Sequence, residues 1–143
     1  MESSPSHADN ERLLQAWGRN WTSHDLPAIL SLFPDDVIYE DETMGVVNRS
    51  KGELKAFAED FFKIFPDVTF ELKAHFAAAN LGGAEWVMRG TQRGDMPGIP
   101  ATGKQVEVRG ASVLEFVNGT IKRCSDYWDM ATLLRQLGVL PAA

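Results

Sequence analysis

The stretch Asn118-Gly-Thr-Ile-Lys-Arg-Cys-Ser-Asp-Tyr-Trp-Asp-Met-Ala-Thr-Leu-Leu-Arg-Gln-Leu-Gly138 changes its hydrophobic period once, and that change decides the fold. Asn118-Gly119 is the signal of a tight hairpin turn, where positive φ is demanded of both residues. Residues 120–128 then read as a strand, whose period of two puts Cys124, Asp126 and Trp128 on one face. Beyond Trp128 the apolar positions are Leu133, Leu134 and Leu137, a helical spacing, with Asp129 as the cap that opens the helix and Gly138 as the residue that closes it.

Working outward, the hairpin needs a partner strand, and residues 105–116 supply one. Residues 94–103 hold too much Gly and Pro for a strand interior and read as a loop. Residues 84–91 form another strand, and Gly82-Gly83 reads as the hairpin turn leading into it. Before that turn Phe70, Leu72, Ala74 and Phe76 alternate with Glu71, Lys73 and His75, a strand with one polar face. Ser50-Lys-Gly-Glu53 is a capping box opening a helix that carries Leu54, Phe57, Phe61 and Phe62 to about Phe65. Residues 36–41 form a short β-rich run. Two helices precede it, one carrying Leu13, Leu14, Trp17 and Trp21 and capped by Asp9, the other carrying Leu26, Ile29, Leu30 and Phe33 with Pro27 in its first turn. Residues 1–8 are small, polar and broken by Pro5, and are expected to be a disordered leader to a single domain over residues 9–143. Helices followed by a meander of strands predict an α+β fold, an antiparallel sheet with helices on one face curling around a pocket.

Composition narrows the function classes. A chain of 143 residues, 44% hydrophobic and 24% charged, has the size and mix of one domain. Fourteen basic against twenty acidic residues give a net charge of -6, which argues against nucleic acid or an anionic membrane as the partner. No stretch approaches the roughly 20 apolar residues that span a bilayer, and the start lacks the basic and apolar regions of a signal peptide. The single cysteine, Cys124, excludes an intrachain disulfide framework and a multi-thiolate metal knuckle, so a reducing, cytoplasmic setting is expected. Four tryptophans are unusual at this length, and they suit a core or an apolar ligand pocket.

The element order, the segment Phe33-Pro-Asp-Asp-Val-Ile-Tyr-Glu-Asp41, the loop Pro100-Ala-Thr-Gly-Lys104 and above all the closing strand and helix resemble the SnoaL-like branch of the nuclear transport factor 2-like superfamily. The resemblance covers almost all of the chain after the leader. It implies a cone-shaped α+β barrel around a pocket. Its motifs specify the fold far better than a reaction, because the scaffold hosts isomerases, cyclases, hydrolases and binding proteins.

Asp126 is the first catalytic candidate. Its strand face holds it between a thiol and an indole, surroundings that disfavour the charged carboxylate and move its pKa towards neutrality, where a group both takes and gives protons. The resemblance implies the same role, since the aspartate matching it in SnoaL-like cyclases and limonene epoxide hydrolases is the acid or base. A structural pairing with a nearby arginine would explain the residue equally well. Asp41 is the second candidate, on one face with Tyr39; it matches the general base of ketosteroid isomerases, and Tyr39 with Asp41 matches the pair that holds water in limonene epoxide hydrolases. A surface turn carboxylate is the plainer reading. Two carboxylates facing one cavity would repel and split into an acid and a base. Asp129 is read as a helix cap only.

Arg89 matches the arginine that bridges two aspartates in limonene epoxide hydrolases, but Thr91 stands where the second of those aspartates belongs. Trp17 and Ser112 stand where ketosteroid isomerases place a tyrosine and a protonated aspartate, and an indole N–H donates only one hydrogen bond. Tyr39, Arg89, Trp17, Thr91, Ser112 and Trp128 are thus the expected substrate contacts. His7, His24 and His75 lack metal-ligand spacing and read as surface or structural residues, and Cys124 as a small buried hydrophobe.

These readings together lead to cofactor-independent acid/base chemistry on an apolar carbonyl compound, of the polyketide cyclase or ketosteroid isomerase kind, with no metal or organic cofactor implied. Epoxide hydrolysis and a non-catalytic ligand-binding or dimerisation module are the alternatives. The partner is expected to be a small apolar molecule, with no nucleic acid and no membrane. A homodimer is also expected, because relatives often dimerise and alternation places Trp86 and Met88 on a face opposite Arg89, read as the outer one.

Overall fold

The computed structural model describes residues 7–142. Its elements run α1 (His7–Ser23), α2 (Leu26–Leu30), β1 (Ile38–Asp41), β2 (Val46–Asn48), α3 (Lys51–Ile64), β3 (Thr69–Ala77), β4 (Leu81–Thr91), β5 (Gln105–Val117), β6 (Thr120–Trp128) and α4 (Met130–Gln136). The strands form one six-stranded curved sheet in the order β2-β1-β6-β5-β4-β3. The α+β architecture read from the sequence is therefore the observed one, with helices packed on the inner face of the sheet. Helix α1 starts at His7, two residues before the expected Asp9, and residues 1–6 of the expected leader lie outside the described residues.

The local signals act as their chemistry requires. Ser50 Oγ accepts from the Glu53 amide at 3.1 Å, while Glu53 Oε1 reaches back to the Arg49 amide at 3.1 Å, one residue beyond the usual partner in a capping box. Asp129 caps α4 through the Thr132 amide and hydroxyl. Asn118 and Gly119 both take positive φ at the β5–β6 turn, and Gly138 does so at the close of α4.

The strand pairing departs from expectation at four points. The sheet is not wholly antiparallel: β1 runs parallel to β6, aligning Tyr39 with Cys124 and Asp41 with Asp126. The three-residue strand β2 was not expected; it extends the sheet beyond β1, and it is too short to carry a periodic signal. The β3–β4 turn falls at residues 78–80, leaving Gly82 and Gly83 inside β4. Both are needed there because a side chain would collide: a Cβ on Gly82 would lie 2.8 Å from the Phe116 ring and one on Gly83 2.8 Å from the Phe76 ring. Finally, a register shift between Leu72 and His75 breaks the alternation of β3. Phe70 and Leu72 face the core as expected, but Phe76 is 64% exposed and His75 pairs with Glu11 of α1.

The apolar core joins Leu14, Trp17 and Trp21 of α1 to Leu54 and Ala58 of α3 and to Trp86, Met88, Val108 and Leu114 of the sheet. Trp86 and Met88 thus face inward, a correction to their expected place on an outer dimer surface. The outer face of the central strands instead carries Arg89, Glu107 and the exposed Val113 and Tyr127. Among the described residues no helix is long and apolar enough to cross a membrane.

Candidate active site

Between the helices and the curved sheet lies a cavity of about 810 Å³. Its wall is mostly aromatic and aliphatic, and all four tryptophans, Trp17, Trp21, Trp86 and Trp128, contribute to it. Such a chamber removes an apolar ligand from water while leaving a few polar groups to orient it. Of the expected site residues, Asp126, Asp41, Tyr39, Trp17 and Trp128 line this cavity.

The carboxylates are brought together by the parallel pairing. Asp41 and Asp126 are direct register partners on neighbouring strands, and parallel partners point to the same face. Asp126 is half-buried, and what surface it keeps opens into the cavity. Burial pushes its carboxyl up; hydrogen bonding from Ser112 and from the Tyr39 hydroxyl pulls it back, and the nearby Asp41 charge pushes it up again, to about 6. Ser112 Oγ donates to Asp126 Oδ1 at 2.6 Å, and the Cys124 thiol approaches the same oxygen at 3.5 Å.

Asp41 has a different set of partners. The Trp128 indole N–H donates to it at 3.0 Å and the Met44 amide at 2.9 Å. Burial raises its carboxyl, and these donors hold it down in part. The turn after β1 is tied to the end of β6 by Thr43, whose hydroxyl donates to the Trp128 carbonyl at 3.0 Å and accepts from the Trp128 amide at 2.8 Å. Asp41 is therefore held by the turn it begins, and is buried rather than on the surface.

Tyr39 is buried beside both groups. Burial and the neighbouring Asp126 charge push its phenol well above the ordinary value, so it remains a donor at any working pH. The Trp17 indole sits against this hydroxyl and opposes the rise, but it completes no hydrogen bond, and the buried indole nitrogens of Trp17 and Trp21 have no partner among the described residues. Burial and the Asp126 charge also push the Cys124 thiol well up, which keeps it protonated and unsuited to attack.

Three expected contacts fall elsewhere. Arg89 lies on the outer face of β4, 45% exposed, donating to Glu107 at 2.7 Å and Glu71 at 3.0 Å. Thr91 hydrogen-bonds Asp67 through both its amide and its hydroxyl at 2.7 Å. Both residues follow the alternation of β4, so the turn of Trp86 and Met88 towards the cavity necessarily turns them away. Ser112 is buried and touches Asp126, but it does not line the cavity. The three histidines also lie off the cavity wall, and no group of three or more His, Cys, Asp or Glu that could hold a metal occurs among the described residues.

Sequence reasoning missed the loop of residues 94–103 as part of the site. Met96 and Pro97 reach the cavity from it. The buried Gln92 fixes the loop, donating to the carbonyls of Gly94, Ile99 and Pro100 and accepting from the Thr102 amide and hydroxyl. An amide side chain just before a Gly/Pro-rich loop, able both to donate and to accept, is the local signal that could have marked the loop as ordered.

Solved structures support the architecture. The chain superimposes on AclR from Streptomyces galilaeus, for which a hydroxylase role has been suggested, with a TM-score of 0.84 and 26% identity over 96% of this chain and 86% of AclR. A SnoaL-like polyketide cyclase candidate from Jannaschia sp. CCS1 gives a TM-score of 0.86 at 13% identity, covering 99% of each chain. A protein of ketosteroid isomerase-like fold from Catenulispora acidiphila, solved with trimethylamine, gives 0.78 at 20% identity over 90% of this chain and 93% of that one. Comparison with curated protein sequences returned no match. The family match to SnoaL-like polyketide cyclases spans residues 11–137, and the chain belongs to that family.

Proposed function

We propose that this protein catalyses a cofactor-independent proton transfer on an apolar polycarbonyl compound, closing a ring by intramolecular aldol addition. The observation that carries the reading is the pair of adjacent carboxylates, Asp126 and Asp41, facing one large apolar cavity. The Asp126 carboxylate takes a proton from the carbon beside a carbonyl. The resulting enolate carbon attacks a second carbonyl, and the new alkoxide takes the proton back from Asp126. In this reading Tyr39 turns its hydroxyl from Asp126 to the developing oxyanion once Asp126 has taken the proton, and Asp41 orients the substrate or acts as a second base.

The test is turnover of linear and partly cyclised aromatic polyketones and of steroid ketones. Asp126→Asn is expected to lower kcat by about 10²–10⁴-fold, and Asp41→Asn by less. Wild-type kcat/KM is expected to rise with pH through about 6 as Asp126 ionises. Equal turnover by wild type and both variants would overturn the reading.

A hydroxylation is the second reading, favoured by the likeness to AclR. It consumes dioxygen, puts one oxygen atom into the product and reduces the other to water with two electrons from an electron-rich substrate or an added reductant, whereas aldol closure adds no oxygen, so product mass under ¹⁸O₂ separates the two. Limonene-type epoxide hydrolysis fits less well because Arg89 lies outside the cavity. Absence of labelled diol from small epoxides in ¹⁸O water would remove it. A ligand-binding module would bind the same compounds with no turnover by any variant.

A further inference from the structure

Trp86 and Ser112 stand behind Asp126 in an arrangement that the proposed reaction does not itself require. Gly110 of β5 has no side chain, and the Trp86 ring occupies the space, so close that a Cβ on Gly110 would lie 2.3 Å from it. The ring is also held edge-on by Phe70, with centroids 5.5 Å apart. In this position the Trp86 indole N–H donates to Ser112 Oγ at 2.9 Å, and Ser112 Oγ in turn lies 2.6 Å from Asp126 Oδ1. Both Trp86 and Ser112 are buried, so bulk water does not compete for these bonds.

The three groups admit one direction of donation when Asp126 is ionised. An indole N–H donates only, an ionised carboxylate accepts only, and a hydroxyl has a single hydrogen. Trp86 therefore occupies a lone pair of Ser112, and the Ser112 hydrogen must point at Asp126. Were Asp126 protonated on Oδ1, two donors would face the same serine oxygen, and the serine hydrogen would lose its acceptor. Protonation on Oδ2 leaves both of these bonds intact.

We propose that Trp86 and Ser112 are positioning residues, a one-way hydrogen-bond relay that commits Oδ1 of Asp126 to the protein and assigns proton exchange with the substrate to Oδ2. The catalytic meaning of the relay rests on the reading of Asp126 as the acid/base group; the relay itself does not. The other titratable groups that face Asp126 are Asp41 and Tyr39 from β1 and Cys124 from β6. None of the three bonds Trp86, so coupling between the indole and Asp126 runs through Ser112.

The experiment follows the ¹³C carboxyl signal of Asp126 and the ¹⁵N–¹H indole signal of Trp86 across pH in the full chain without substrate. In wild type the Trp86 signal is expected to shift with the same midpoint as Asp126. In Ser112→Ala that titration of Trp86 disappears, and the Asp126 midpoint rises by about one pH unit because a donor to the charged form is lost. Ser112→Thr, which keeps the hydroxyl, restores both. A Trp86 signal in wild type that ignores Asp126, or one that titrates in Ser112→Ala as it does in wild type, overturns the relay. These titrations need no turnover, so failure of the relay and failure of the proposed reaction are read separately.

Discussion

At the scale of single residues, the feature that sets Asp126 apart is the cost of its charge. Its carboxyl is raised from 3.8 to about 6, so the folded state binds that proton more tightly than the unfolded chain does. The contribution to stability is complete below about pH 4 and is lost as pH rises through about 6. Above that the ionised side chain costs up to about 3 kcal/mol, less whatever water in the cavity returns. Asp126→Asn is therefore expected to be more stable than wild type at pH 8 and to lose most of that advantage at pH 4, measured by urea unfolding at both. An advantage that is the same at both pH values would mean the carboxyl is not perturbed. Cys124, Asp126 and Trp128 were legible as one strand face, and Tyr39 with Asp41 as another, because alternation is a local property of the backbone. The partners that set each pKa were not legible, since Ser112, Tyr39 and Trp128 come from separate strands.

At the scale of elements, β5 and β4 are matched by volume across the sheet. Gly110 and Trp86 are register partners, and the missing side chain of one is the space filled by the ring of the other. Gly110→Ala forces the indole to move, at a cost of about 1–3 kcal/mol for overpacking a well-filled site. The expected result is a melting temperature lower by about 3–12 °C and loss of the Trp86 to Ser112 bond, read by calorimetry and by the indole N–H shift. A variant with unchanged melting and an unchanged indole signal would contradict this packing. The caps and turns at Ser50, Asn118, Asp129 and Gly138 were readable because each is a contact within a few residues. The β3 register shift and the true β3–β4 turn were not, because Gly82 and Gly83 look like turn residues until Phe76 and Phe116 are seen to need their space.

At the scale of the whole molecule, the four tryptophans turn from a compositional oddity into a property of one chamber. An aromatic ketone in the cavity lies close to all of them, so saturation with such a ligand is expected to quench most of the intrinsic fluorescence, and Asp126→Asn is expected to retain that quenching. Saturable binding, established by calorimetry, with unchanged emission would place the ligand outside the cavity. Local sequence was enough for the α+β class, most element positions, the caps at Ser50 and Asp129 and the pairs of residues that share a strand face, because those depend on periodicity and on contacts between near neighbours. Only the tertiary structure decided which face is inward. Alternation divides Trp86 and Met88 from Arg89 and Thr91, but the packing of α1 and α3 against the sheet is what chose the first pair for the cavity. Likewise it was the parallel pairing of β1 with β6, a contact between residues 85 positions apart, that set Asp41 beside Asp126 and made two separate carboxylates into one site.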